Sequence, residues 1–209
     1  MARAKSISNI YSKKFKVFDF DGLWLKAMGK PEADGIWLVY GPEKNGKTWF
    51  SIKLAEYLSQ FGKVLYISAE EGTGKGIQDT FYRIGLNPSN RALQFEEYTP
   101  IEELDQLLSK RKSARIVFLD NMTIYADELK NGMLRKFTQK HSDKLFVIIA
   151  HEERNEPYTA TAKLASKLAK VIVRVKGLAC TVSGRVPGGV LTIDEEKAAL
   201  YWGQEVVNN

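Results

Sequence analysis

Cysteine is almost missing from this 209-residue chain; Cys180 stands alone. One cysteine closes no internal disulfide and builds no zinc finger, so a disulfide-framed secreted domain is excluded and a reducing compartment, the cytoplasm, is expected. No apolar run approaches the roughly 20 residues of a membrane span, so no membrane partner is expected. Internal repeats and low-complexity linkers are also missing, and 209 residues suit one domain. Acid is missing from residues 1–18, which carry Arg3, Lys5, Lys13, Lys14 and Lys16 but not the continuous apolar stretch of a secretory signal. That segment reads as a mobile basic arm, with an organelle presequence as the alternative, and residues 19–209 as the domain.

The rest of the composition is that of a globular core, 44% hydrophobic, with 31 Lys and Arg against 25 Asp and Glu, a net charge of +6. A mild basic excess suits a polyanionic partner without requiring one. Apolar runs at 36–40, 63–68, 115–119, 145–150 and 171–175 read as strands. Residues 48–61, 78–85 and 101–110 read as helices, the first with Phe50, Leu54 and Leu58 on one face and Gly62 as its stop. Continuous apolar strands separated by helices imply a parallel sheet covered on both faces. After residue 176 the segments shorten. Residues 179–183, 190–194 and 199–202 read as an antiparallel meander on the sheet edge.

One stretch carries chemistry. Gly41-Pro42-Glu43-Lys44-Asn45-Gly46-Lys47-Thr48 fits G-x-x-x-x-G-K-[ST], between a strand and the helix that begins at Thr48, with Trp49 next to the motif as a further cofactor-side candidate. Glycines let backbone N–H groups turn inward toward phosphate oxygens. The helix start adds its positive dipole end. Lys47 is placed to reach the β- and γ-phosphates, and the Thr48 hydroxyl to ligate Mg²⁺. A second metal-side acid is expected, and Asp120 supplies it at the end of Arg115-Ile-Val-Phe-Leu. The next residue is Asn121, so a general base must come from elsewhere. Glu70, supported by Glu71, follows the 63–68 strand, at the carboxyl edge where such sheets bind ligands.

Together, GPEKNGKT, VLYISAEEG, IVFLDNMT and VIIAHEERN resemble the RecA-like P-loop ATPases, above all the RadA/KaiC-like and replicative-helicase-like cores, over residues 36–202. The resemblance implies an α/β fold with a mostly parallel central sheet, flanking helices and a C-terminal antiparallel β extension. It implies ATP and Mg²⁺ as cofactors, with Glu70 in the place of the catalytic acid and His151 in that of the γ-phosphate sensor. It also implies assembly into a ring or filament, with a cation reaching the neighbouring subunit's nucleotide. Arg185 matches half of the Lys-x-Arg pair that serves this purpose, Ser183 stands where the Lys would be, and Lys176 is the substitute. Arg83 matches arginines that stack on adenine. Loops like those at 121–130 and 152–163 touch single-stranded DNA in such proteins, which points to Arg154, Tyr158 and Lys163; because Glu152, Glu153 and Glu156 dilute the charge, a solvated loop-to-helix transition is the alternative at 152–163.

The function expected from these signs is ATP hydrolysis in DNA replication or recombination, including that of phages and mobile elements, with single-stranded DNA or a DNA-processing protein as partner. The alternatives are a KaiC-like ATPase acting on protein partners and a small-molecule kinase. The kinase reading lacks an Arg-rich lid, and the Glu70/His151 pattern favours water as acceptor.

Overall fold

In the computed structural model, residues 4–207 are described, without the side chains of 203–207. Arg3 of the basic arm lies outside them. Nine strands form one sheet. Its order runs β3 (Leu93–Glu96), β2 (Val64–Ser68), β4 (Ile116–Asp120), β5 (Leu145–Glu153), β1 (Gly35–Gly41), β7 (Val171–Lys176), β8 (Ala179–Gly184), β9 (Gly189–Thr192). The two-residue β6 (Glu156–Pro157) pairs with the end of β5. From β3 to β7 all neighbours are parallel; β8 and β9 are antiparallel.

Side chains of period two fill both faces, as parallel strands require. Trp37 and Val39 of β1, Phe118 of β4 and Val147 and Ile149 of β5 point to one core. There they meet Phe50, Leu54 and Leu58 of α3 (Lys47–Leu58) and Ile77 of α4 (Lys75–Ile84). Ile36 and Leu38, Val117 and Leu119, and Phe146 and Ile148 point to the other. That core is covered by α5 (Ile101–Leu108), α6 (Met133–Lys140) and α7 (Ala160–Leu168). Each fully buried side chain of this size contributes about 1.5–3 kcal/mol. No helix among the described residues is long and apolar enough to cross a membrane.

The segment before β1 joins the first core. After the short helix α1 (Ile7–Tyr11), Val17 bridges Glu32, and Phe18 and Phe20 are buried against Trp37 and Phe61. Trp24 of α2 (Gly22–Met28) stacks on Tyr57 at 5.1 Å. This aromatic cluster carries no period that marks it in the sequence.

The C-terminal extension corrects one expectation. Residues 199–202 are not a strand; they lie in α8 (Glu195–Val207). Asp194 accepts the backbone N–H of Lys197, and Glu195 and Glu196 sit in the first turn, where acid complements the helix dipole. The meander therefore ends at β9. Two modest elements, β3 and α6, stand where no element was expected, because their sequences are polar on their outer sides, and α7 follows the loop-to-helix alternative at 152–163.

Gly41 sets the distance between β1 and β7. A Cβ there would lie 1.9 Å from the Val175 carbonyl oxygen, so the ladder tolerates no side chain. Gly62 borders open space at an ordinary φ. Gly41→Ala is expected to destabilise the protein by about 3 kcal/mol, the upper end of ordinary overpacking, because the obstacle is backbone. Gly62→Ala is expected to be neutral or stabilising by about 0.5 kcal/mol. Urea unfolding of the two variants checks both.

Candidate active site

The carboxyl ends of β1, β5, β4 and β2 finish side by side. Gly41 is in register with His151, and Ser68 with Asp120. Because β5 is inserted between β1 and β4, His151 sits between the glycine-rich loop and Asp120. The result is a cleft of about 350 Å³ lined by Glu43, Lys44, Gly46, Lys47, Thr48, Trp49, Glu70, Glu71, Asp120, Asn121 and His151.

The loop is shaped by two left-handed residues, Lys44 (φ 58°) and Gly46 (φ 94°). Gly46 also faces Leu178, whose Cδ2 lies 2.5 Å from where a Cβ would be. The two fixed glycines thus answer to the β7–β8 side of the sheet as well as to a ligand. Asn45 fastens the loop there: its Oδ1 accepts the Gly177 N–H at 2.8 Å, and its Nδ2 donates to the Glu43 carbonyl. The helix α3 starts at Lys47, so its first-turn amides have no partner within the helix and stand at the cleft wall. The Lys47 ammonium donates to the Pro42 carbonyl at 2.7 Å and is 7% exposed. Burial lowers its pKa, against the pull of Asp120 and Glu70.

Asp120 is buried and accepts the Tyr66 hydroxyl at 2.6 Å. Its pKa is pushed up to about 6, first by burial, with Glu71 and Glu70 adding to the rise and the Tyr66 bond and Lys47 opposing it. The same surroundings hold the Tyr66 hydroxyl well above its usual value. A buried carboxylate short of positive charge, in the same cleft as Thr48, fits Mg²⁺. No group of three or more His, Cys, Asp or Glu among the described residues forms a metal cage. A single carboxylate suits an ion that keeps several waters and takes its other ligands from phosphate.

Asn121 is the residue that the sequence reading missed. Its Oδ1 accepts the Thr123 N–H, which leaves Nδ2 facing Glu70 Oε2, to which it donates, and His151 Nε2 at 2.8 Å. Glu70 Oε2 and His151 Nε2 are 3.3 Å apart. Nε2 of His151 thus faces both the Asn121 amide and the Glu70 carboxylate, while its Nδ1 is buried and unpartnered among the described residues. One amide therefore aligns an acid from β2 and an imidazole from β5. Glu71 is exposed and makes no hydrogen bond or ion pair among the described residues.

Other expected residues lie elsewhere. The Arg83 guanidinium stands over the Trp49 ring at 5.6 Å, with the Lys197 ammonium on the same ring at 5.2 Å. Arg185 follows β8 at the amino end of β7, its N–H on the Lys170 carbonyl, and so is at the opposite edge of the sheet from the cleft. Lys176 ends β7 on the cleft side, with its ammonium 5.4 Å from the Trp202 ring centroid. The segment at 152–163 is not an open loop. It is a β5–β6 hairpin with Arg154 and Asn155 at its tip in left-handed conformation, followed by α7. Arg174 grips Glu152 with two hydrogen bonds, and Lys163 is paired with Glu156 at 2.8 Å. Tyr158 is 54% exposed.

The buried Asp120 gives a pH test on the nucleotide-free protein. The folded chain keeps this proton up to about pH 6, whereas the unfolded chain releases it near 3.8. Folding therefore binds the proton in that interval, so this group makes stability fall as pH rises from about 4 to about 6 and stay low above it. Asp120→Asn keeps the Tyr66 acceptor and loses the charge. It is expected to be more stable than wild type at neutral pH by on the order of 2–3 kcal/mol, and the gap is expected to close toward pH 4. Paired urea titrations across that range measure it.

No protein-family model matches the chain, and no curated protein matches it. Among solved structures, the flagellar accessory protein FlaH from Methanocaldococcus jannaschii is similar, with a TM-score of 0.62 and 16% identity, over 87% of this chain and 96% of FlaH. At that identity the likeness speaks for the fold, which is α/β and RecA-like: a mostly parallel central sheet, flanking helices and antiparallel strands toward the C-terminus.

Proposed function

We propose that this chain binds ATP with Mg²⁺ in the cleft, hydrolyses the γ-phosphate, and uses the hydrolysis in DNA replication or recombination in the cytoplasm. The observation that carries the catalytic part is convergence. Lys47, Thr48, Asp120, Glu70 and His151 come from four different strand ends and line one cleft.

Each group has a task that its surroundings suit. The Lys47 ammonium exchanges the Pro42 carbonyl for phosphate oxygens, which relieves a desolvated cation. The α3 amides bind the same phosphates. Thr48 and Asp120 would hold Mg²⁺, which supplies charge neutralisation at the phosphates when bound. Glu70 uses Oε2 to accept Asn121, leaving Oε1 to orient a water and take its proton. Asn121 and His151 fix that carboxylate relative to the γ-phosphate position.

The partner is proposed to be single-stranded DNA or a DNA-processing protein, with the hairpin residues Arg154, Tyr158 and Lys163 as contacts. The basic excess and the aromatic Tyr158 beside these cations support this reading. Arg185 lies too far from its own cleft to serve it. If it acts as the trans cation, it does so on a second subunit in a head-to-tail ring or filament. Lys176 is the cation on the cleft side.

Lys47→Ala is expected to lose ATP binding or turnover by about a hundredfold or more while remaining folded. Glu70→Gln is expected to bind ATP–Mg²⁺ with near wild-type affinity and hydrolyse it about 10²–10⁴-fold more slowly. Glu71→Gln is expected to stay within about tenfold of wild type. Phosphate release and nucleotide-binding titrations, each with and without single-stranded DNA, test this. A dead Glu71→Gln beside an active Glu70→Gln transfers the base to Glu71, and full activity in Lys47→Ala removes the site.

A further inference from the structure

The edge of the sheet opposite the cleft carries a charge feature that hydrolysis does not use. The residue immediately before β2 is Lys63, before β4 Arg115, before β5 Lys144 and before β7 Lys170. Lys170 is neutralised by Glu32 and Asp34. The other three open onto a cleft of about 780 Å³ that is also lined by Lys110, Arg111, Lys112 and Lys140, with Asp143 as its one carboxylate.

Little within the chain compensates these cations. Lys140 is taken up by Asp105, which also holds His141. The Arg115–Asp143 contact is loose, at 3.8 Å between exposed side chains. The side chains of Lys63, Lys110, Arg111 and Lys112 make no hydrogen bond or ion pair among the described residues, and all four are exposed. The carboxyl ends of α5 and α6 lie at this edge, and each helix end offers only about half a negative charge. Lys144 is the independent sign. It is 6% exposed, and its ammonium donates to Ser113 Oγ at 3.0 Å and the Ala114 carbonyl at 3.1 Å. No carboxylate lies within ion-pair distance of it among the described residues. A buried cation without a counter-charge is costly unless an anion completes it.

The charged path continues. A neighbouring cavity of about 460 Å³ shares Arg115 and Asp143 with the first and is lined by Phe15, Lys16 and Val17 of the basic arm. Phe15 is half exposed, with the Lys13 ammonium 4.5 Å from its ring centroid. The two cavities together make a track longer than a single phosphate group needs. Adjacent strands are about 4.8 Å apart, so Lys63, Arg115 and Lys144 form a row about 10 Å long.

We propose that this pole of the sheet, the cleft of Lys63, Lys110, Arg111, Lys112, Arg115 and Lys144 continued by Phe15 and Lys16, binds the phosphodiester backbone of nucleic acid. A row of cations with an aromatic beside it suits a phosphate chain with bases free to stack. The concave, helix-walled cleft suits a strand better than a planar bilayer. The surface lies about 20 Å from the ATP cleft along the strands, so it does not depend on the catalytic reading.

The test is fluorescence anisotropy with a labelled single strand of about 30 nucleotides, from about 50 to about 200 mM salt. Lys110→Ala/Arg111→Ala/Lys112→Ala changes only an exposed turn; Lys63→Ala/Arg115→Ala is the second variant. The triple variant is expected to bind about tenfold or more weakly and to lose about 2 from the log–log salt slope, at about 0.7 per contact. The double variant is expected to shift in the same direction. Circular dichroism shows that the variants are folded. The proposal is overturned if both pole variants keep wild-type affinity and slope, or if wild type does not bind the strand at low salt. It is also overturned if only Arg154→Ala/Lys163→Ala loses binding, which leaves the hairpin as the contact, or if phosphatidylserine vesicles bind through these residues and the oligonucleotide does not.

Discussion

The parallel ladder that ends β1, β5, β4 and β2 at one level is the constraint on which the rest of the molecule depends. Register sets which residues meet. Gly41 opposite His151 and Ser68 opposite Asp120 place the loop, the His151 imidazole and the buried acid within one cleft. A slip of one residue would send Asp120 to the wrong face and bury polar groups in the cores. The two hydrophobic cores hold the register, because each strand presents alternate side chains to opposite helix layers. Gly41 adds a steric limit, since the Val175 carbonyl leaves no room for a side chain.

The cleft is electrostatically unfinished. A desolvated Lys47 sits near a buried Asp120, and neither has an ion-pair partner among the described residues. Both are held by neutral groups, the Pro42 carbonyl and the Tyr66 hydroxyl. Such an arrangement costs stability unless an anion and a cation complete it. Asn121 performs a different task. By contacting Glu70 and His151 at once, it links two strand ends that the backbone only brings near each other.

Charge is distributed along the strand direction. Three strands follow a cation of one pole and run toward a residue of the cleft at the other: Lys63 toward Glu70, Arg115 toward Asp120 and Lys144 toward His151. Within the hairpin at 152–163 charges are paired, because Glu152 is gripped by Arg174 and Glu156 by Lys163. A count of cations along the sequence does not separate these cases. Which cations are left unpaired is a property of the folded surface.

The central strands and the strand–loop–helix at 41–48 were legible in the sequence because each depends on local signals. Apolar runs that must be buried on both faces announce themselves, and a strand–loop–helix with fixed Gly, Lys and Thr has few other uses. Asp120 and Glu70 followed from their places at strand ends. The polar outer elements β3 and α6 were not legible because they bury only part of their surface, and the strand expected at 199–202 is helical because Asp194 and the acids after it favour a helix start. The role of Asn121, the remoteness of Arg185 from its own cleft and the uncompensated pole were decided only by tertiary structure. Each depends on which strand lies next to which, and strand order is set by long-range packing that no local run of residues encodes.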